Sequence, residues 1–228
     1  MQSIAVKKEG ITRVWLARHA ETATPHLLHG AESDVPLGEH GRRQAEAAAE
    51  WFARLGPEVV VSSAMRRAIE TAEPIARRCR IPHEIEPLWH ERRVGAFSQR
   101  CGAEVEEAWQ RTLRAWQSGD LDFAVDGMES FASIQQRVLP VWDRVVARHR
   151  GKRIAVIVHG VVSKVLLLSL LPGYSAADWL RIGKAHNLAV SELVLAEGHW
   201  QALRLLEVPE PVRQVDASRE ALTSRSTA

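Results

Sequence analysis

A chain of 228 residues with 46% hydrophobic side chains is long enough to bury a substantial core, as one large domain or two small ones. With 30 basic and 28 acidic side chains the net charge is +2, so bulk electrostatics gives no support to a general nucleic-acid binder and any anion preference must be local. Two cysteines, Cys79 and Cys101, are too few for a disulfide framework and too far apart for a CxxC motif; they read as packed thiols in a reducing compartment.

Residues 1–10 hold two lysines with no apolar segment after them, so no secretory signal is read there and a cytoplasmic location is expected. Thr12 to Ala17 is an apolar run that reads as a buried strand and stops at Arg18-His19. Ligands of open α/β sheets bind at the carboxyl ends of strands, which places this pair well for an anion. Taken alone, an Arg-His pair reads more readily as a polar surface loop, so the weight falls on partners elsewhere in the chain. A polar loop to Gly38 precedes a helix over Glu39–Leu55, whose Ala45, Ala48, Ala49, Phe52 and Leu55 form one small-residue face; Gly56-Pro57 ends it. Glu58 to Ser62 is the second strand, with Ser63 as N-cap of a helix from Ala64 to about Cys79. Ile81 to Pro87 is extended.

This alternation predicts an α/β three-layer sandwich, a mostly parallel central sheet with helices on both faces. Leu88 to Asp126 is less regular, with a helix around Glu104–Trp116, and reads as a helical insertion over the sheet's edge. Glu129 to Arg148 is the clearest amphipathic helix and carries Pro140 in its interior. Arg153 to Val158 is a further buried strand, ending at His159-Gly160. The apolar run Val161–Leu171 is interrupted by Ser163, Lys164 and Ser169 and is far shorter than the roughly 20 residues of a membrane span, so it reads as a buried helix. A short helix over Ala176–Ile182, two final strands over Leu188–Leu195 and His199–Leu206 in a hairpin, and a disordered polar tail from Glu207 complete the chain. One domain over 1–206 and a tail over 207–228 are therefore expected.

Three predicted strand ends carry polar groups: Arg18-His19, Ser62-Ser63 with Arg66-Arg67, and His159-Gly160. Two histidines and at least two arginines without accompanying carboxylates make a poor metal site and a good phosphate site, because guanidinium groups bind phosphoryl oxygens bidentately. His26-x-x-His29 lacks a matching third ligand and reads as solvated. Eight tryptophans are better assigned to packing than to base stacking; Trp15 and Trp142 fall on core faces, and Trp109 and Trp116, seven apart, share a helix face that packs on the body or lines a pocket mouth.

The ordered motifs resemble the histidine phosphatase superfamily in its phosphoglycerate-mutase-like branch. Leu16-Ala17-Arg18-His19-Ala20-Glu21-Thr22 is similar to the family's opening Leu-x-Arg-His-Gly-Glu-Thr, with alanine for glycine. Asp34, Pro36, Leu37, Gly41, Gln44 and Ala45 match its second element, with Gly38 replacing threonine, and Ser63, Met65, Arg67, Ala68, Thr71 and Ala72 match its helix start. Glu91 with Gly95, Gly127-x-Glu129-Ser130 and Val158-His159-Gly160 follow in the family's order, so the resemblance covers Thr12 to Leu206.

The resemblance implies a phosphoglycerate-mutase-like fold and a metal-independent phosphomonoesterase acting on a small phosphorylated metabolite. His19 would be the phosphoryl acceptor. Arg18, Arg67 and His159 would surround the transferring group, and Glu91 would protonate the leaving alcohol and then activate water. The motif spacing selects Arg67 over Arg66. Thr22, Arg92, Arg93 and Asn187 are candidate substrate contacts; Arg111 and Arg114 fit a solvated helix face equally well. After Gly95 the chain runs Ala96-Phe97-Ser98-Gln99 in place of the family's x-Trp-Glu-Gly.

A cofactor-dependent phosphoglycerate mutase is the alternative within the family and would require bisphosphoglycerate. Pro25 at the mutases' asparagine position and Glu91-Arg92-Arg93-Val94-Gly95 without their tyrosine favour the phosphatase. A non-catalytic phosphate-binding or regulatory protein retaining the fold is the alternative outside enzymes. The expected partner is a small-molecule phosphomonoester, with no metal, no other cofactor, no nucleic acid and no membrane; a homodimer through an edge strand is left open.

Overall fold

The computed structural model of the chain describes residues 10–125 and 127–226. The leader reading over residues 1–9 and Asp126 at the end of the predicted insertion lie outside the described residues.

Six strands form one sheet: β1 (Thr12–Arg18), β2 (Val59–Ser63), β3 (His83–Glu86), β4 (Arg153–Val158), β5 (Val190–Ala196) and β6 (His199–Glu207), in the order β3-β2-β4-β1-β5-β6. Pairing is parallel from β3 to β1, and β5 alone runs against the rest. The expected mostly parallel α/β sandwich is what forms.

Strand periodicity divides the core in two. Val14, Leu16, Ile154, Val156 and Val158 point to the face covered by α3 (Ala103–Gln117), α4 (Phe131–Arg148) and α5 (Gly160–Leu170). Trp15, Ala17, Ala155 and Ile157 point to the face covered by α1 (Glu39–Leu55) and α2 (Arg66–Cys79). The alanines of α1 let it lie close to the sheet, and Gly56, at φ 66°, ends it in the left-handed conformation glycine tolerates best.

The chain leaves β1 towards one face through α1 and leaves its neighbour β4 towards the other through α5. Such a reversal opens a crevice at the carboxyl ends of the two strands. Register fixes what meets there: Arg18 lies opposite Val158, and His19 N donates to Val158 O at 2.9 Å. His19 and His159 therefore leave the sheet side by side.

Several sequence expectations change. Ser63 does not cap α2 by starting a helix at Ala64; it closes β2, and α2 begins at Arg66. The short helix near Ala176 is a single 3-10 turn, Ala176–Asp178, held by a Ser175/Asp178 capping box. The last two strands do form a hairpin, turning through Glu197 and Gly198, both at positive φ as a type I′ turn requires. The tail expected to be disordered forms α6 (Glu210–Ser226), docked on α1: Val212 is fully buried, and Asp216 accepts hydrogen bonds from His40 Nε2 at 2.8 Å and Gln44 Nε2 at 2.7 Å. Of the expected packed thiols, Cys79 is half-buried and Cys101 exposed. Among the described residues no helix is long and apolar enough to cross a membrane.

Candidate active site

The crevice opens into a cavity of about 570 Å³ whose lining includes Arg18, His19, Glu91, Thr22 and Asn187. Arg67 and His159 lie one layer deeper, each fully buried. The rings of His19 and His159 meet edge to face, 5.2 Å between centroids.

His19 follows the last residue of β1, and its position is held from several sides. Its Nδ1 lies 2.7 Å from Ala20 O, and because a carbonyl only accepts, the proton sits on Nδ1 and Nε2 keeps its lone pair. Asn187 Nδ2 donates to His19 O at 3.0 Å. Ala20, in the family's glycine position, is fully buried and donates its N–H to Thr71 Oγ1 at 3.0 Å. Glycine is required instead at position 41 of α1, where a Cβ would fall 1.9 Å from Glu21 O. Burial, then the positive charges of Arg67 and Arg18, hold the His19 imidazole well below its ordinary 6.5, so it is neutral near pH 7.

Arg67 projects from the first turn of α2. Its Nη1 and Nη2 donate to Ser33 O at 2.9 Å and Gly30 O at 3.2 Å, so the preceding loop clamps the guanidinium with carbonyls. Burial lowers its pKa to about 10, against the opposing pull of Glu91 and Asp34, and it stays charged at neutral pH. The adjacent Arg66 is exposed and paired with Glu70 at 2.6 Å, in keeping with the motif's choice of Arg67. Arg18 donates through Nη1 to Ala185 O at 2.8 Å.

His159 Nε2 is 2.9 Å from Ser63 Oγ, which also accepts from Met65 N at 3.2 Å. Met65 N engages one lone pair of Ser63 Oγ, and where the hydroxyl donates to His159 Nε2 the imidazole proton sits on Nδ1. Burial first, then Arg67, His19 and Arg18, keep His159 well below 6.5. Arg18 Nε, Arg67 Nε and His159 Nδ1 are buried and have no hydrogen-bond partner among the described residues. Three such groups beside one imidazole are an anion receptor, since buried donors are ordinarily paired.

Glu91 reaches the cavity from the start of the insertion. Its Oε1 accepts from Arg92 N at 2.8 Å and its Oε2 from Val161 N at 3.3 Å, which points the carboxylate at the N-terminus of α5. The atypical Gly95–Phe97 stretch folds as a separate 3-10 turn and does not displace it.

The other predicted substrate contacts separate. Thr22 and Asn187 line the cavity. Arg92 is buried outside it: its guanidinium lies over Trp116 at 4.9 Å and Trp109 at 5.5 Å, and its Nε donates to Glu129 O. Arg93 is exposed; its backbone N–H donates to Glu129 Oε2 at 2.8 Å and its carbonyl accepts from Glu129 N at 2.9 Å; Arg111 and Arg114 are exposed as well. Trp109 lines the cavity while Trp116 is buried in the core. His29 is half-buried and tied to Thr24 and Ser33 rather than solvated. Among the described residues no three His, Cys, Asp or Glu side chains are grouped to hold a metal ion. Lys164, Lys184 and Trp179 also line the cavity and were not singled out from the sequence as site residues. A signal for Lys164 was present: it follows Gly160 by four positions, on the helix face that carries the strand-end motif.

A family model described as the histidine phosphatase superfamily (branch 1) matches residues 14–207. A metal-independent phosphoserine phosphatase of Arabidopsis thaliana is 33% identical over 208 residues, 87% of this chain and 82% of that protein. A probable phosphoglycerate mutase, GpmB, of Proteus mirabilis is 30% identical over 197 residues, 83% of this chain and 88% of that protein. Among solved structures, a native mycobacterial glucosyl-3-phosphoglycerate phosphatase superimposes with a TM-score of 0.75 at 25% identity, over 86% of this chain and 99% of that one.

Proposed function

The chain belongs to the histidine phosphatase superfamily (branch 1), and from that membership we propose that it hydrolyses phosphomonoesters of small metabolites through a phosphohistidine on His19, without a metal ion. The observation that supports this most is the pairing of a neutral imidazole, its Nε2 lone pair free, with the unpartnered N–H groups of Arg18 and Arg67 and the unpartnered Nδ1 of His159.

In the first step Nε2 of His19 attacks phosphorus while the bond to the leaving oxygen breaks, and Glu91 delivers a proton to that oxygen. The Ala20 carbonyl stabilises the Nδ1–H as the ring gains positive character. Arg18, Arg67 and His159 hold the three equatorial oxygens as the phosphoryl group loosens, in a pocket too buried for water to screen them. In the second step the Glu91 carboxylate takes a proton from water, the water oxygen attacks phosphorus, and the P–N bond breaks to release inorganic phosphate and neutral His19. Thr22 and Asn187 set the loop and backbone around the nucleophile. A receptor built from guanidinium and imidazole groups repels a divalent cation, which supports the metal-free reading; the phosphoserine phosphatase relative is itself named metal-independent.

The expected result is hydrolysis of p-nitrophenyl phosphate at an undiminished rate in excess chelator. Loss of turnover on chelation, restored by a divalent metal, would refute the metal-free route. Equilibration of phosphoglycerates dependent on bisphosphoglycerate would make the protein a mutase instead.

A further inference from the structure

Among the described helices α5 is the most apolar, and Lys164 sits in its buried middle. Its side chain is only 7% exposed, yet it lines the same cavity as His19. The ammonium lies 4.4 Å from the centre of the Trp179 ring and donates to the Trp179 carbonyl. An ammonium has three N–H donors, and that carbonyl is the one hydrogen-bond acceptor it meets among the described residues, with no carboxylate paired to it. A buried cation without a counter-ion is costly and is ordinarily removed or paired. Burial accordingly pushes Lys164 down to about 8, still largely protonated at pH 7.

The charges around it make the omission specific. The two carboxylates of the cavity lining are occupied: Glu21 by Arg219 at 2.6 Å, and Glu91 by two backbone amides. Lys184 adds a second ammonium to the lining, exposed and in no ion pair among the described residues. The phosphoryl group already has Arg18, Arg67 and His159. An anionic ligand that satisfied Lys164 would therefore bring a second charge, on the part of the molecule that leaves with the alcohol.

We infer that the preferred substrates are phosphorylated carboxylic acids, and that Lys164, backed by the Trp179 ring and assisted by Lys184, binds the carboxylate of the leaving group. A single compact ammonium suits a monoanion, whereas the guanidinium-rich floor suits the phosphoryl dianion. This rests on the phosphomonoesterase reading above and makes Lys164 a specificity residue of that site.

The test compares kcat/KM for 3-phosphoglycerate and glycerol 3-phosphate, which differ by a carboxylate in place of a hydroxymethyl group, with p-nitrophenyl phosphate as a third substrate. Wild-type protein is expected to favour 3-phosphoglycerate by about 10- to 100-fold, the scale of one charge-assisted contact. Lys164→Met should bring that ratio towards one, mainly through KM, and Lys164→Arg should retain most of it. A wild-type ratio near one, or an equal loss on both esters in Lys164→Met, would overturn the inference while leaving p-nitrophenyl phosphate turnover intact as support for the phosphatase. The wild-type ratio decides even where Lys164→Met does not fold. Absence of turnover on all three would overturn the phosphomonoesterase reading itself, and the carboxylate site with it.

Discussion

The floor of the cavity and its far wall both bury cations, by opposite means. On the floor, Arg67 is held by two carbonyls of the 30–33 loop, Arg18 by one carbonyl of the 183–188 loop, and both lie near the carboxylate of Glu91. On the wall, Lys164 is clad by the indole ring of Trp179, and behind it, outside the cavity, Arg92 is clad by Trp109 and Trp116; the three rings pack edge to face at 5.5–5.8 Å. Carbonyl clamps fix a guanidinium in one orientation, as in-line displacement requires. Aromatic faces stabilise a cation with less directional demand, which suits recognition of variable leaving groups. On the proposed reading the floor serves one chemistry and the wall chooses among molecules.

Among the buried cations, the largest effect should come from breaking the floor. Arg67→Ala is expected to lower kcat/KM by about 10³-fold, the upper range for one preorganised donor, and by the same factor for every ester, in contrast to the substrate-selective loss at Lys164. Substrate-dependent loss at Arg67 would erase the distinction between the two regions. Glu91, at their junction, should behave differently from both. Glu91→Gln is expected to cost about 10²-fold with an alkyl phosphate, whose leaving oxygen needs a proton, and far less in the first step with p-nitrophenyl phosphate. Pre-steady-state release of p-nitrophenol would then show a burst followed by slow dephosphorylation; uniform slowing of both phases would argue against Glu91 as the acid.

The smallest effect concerns pH. His19 and His159 are held below 6.5 in the folded protein, so the acid limb of kcat/KM should lie below pH 6.5, because neutral His19 persists there. In the unfolded chain both imidazoles protonate near 6.5, so the unfolded state binds more protons and stability falls as pH drops through that value. Denaturant midpoints at pH 7.5 and 5.5 would record the second trend, and a pH profile the first. An acid limb above 6.5 would contradict the buried, arginine-flanked setting of His19.

Much of the floor was legible in the sequence because it is made of strand ends. Alternating apolar residues in Thr12–Arg18 and Arg153–Val158 define two neighbouring strands, and the residues following them, His19 and His159, meet by register alone. The wall was less legible. Lys164 reads as an interruption of an apolar run, and only packing against Trp179, fifteen residues on, makes it part of the cavity. Arg92 and Arg93 are indistinguishable by type; the insertion's tryptophans enclose the first, and the second faces solvent. Ser63 looks like a cap because serine commonly is one, but its hydroxyl is spent on His159. The helix after Glu207 was hidden because its composition is polar, and what docks it is Asp216 meeting His40 and Gln44 far away in sequence.

The proposed division of labour depends on one covalent bond. Wild-type protein quenched in alkali during turnover, digested and mapped by mass spectrometry is expected to carry an acid-labile phosphate on the imidazole of His19, and the His19→Ala variant to carry none and lose turnover by about 10⁴-fold or more. Phosphate on any other side chain, or turnover retained in His19→Ala, would contradict it.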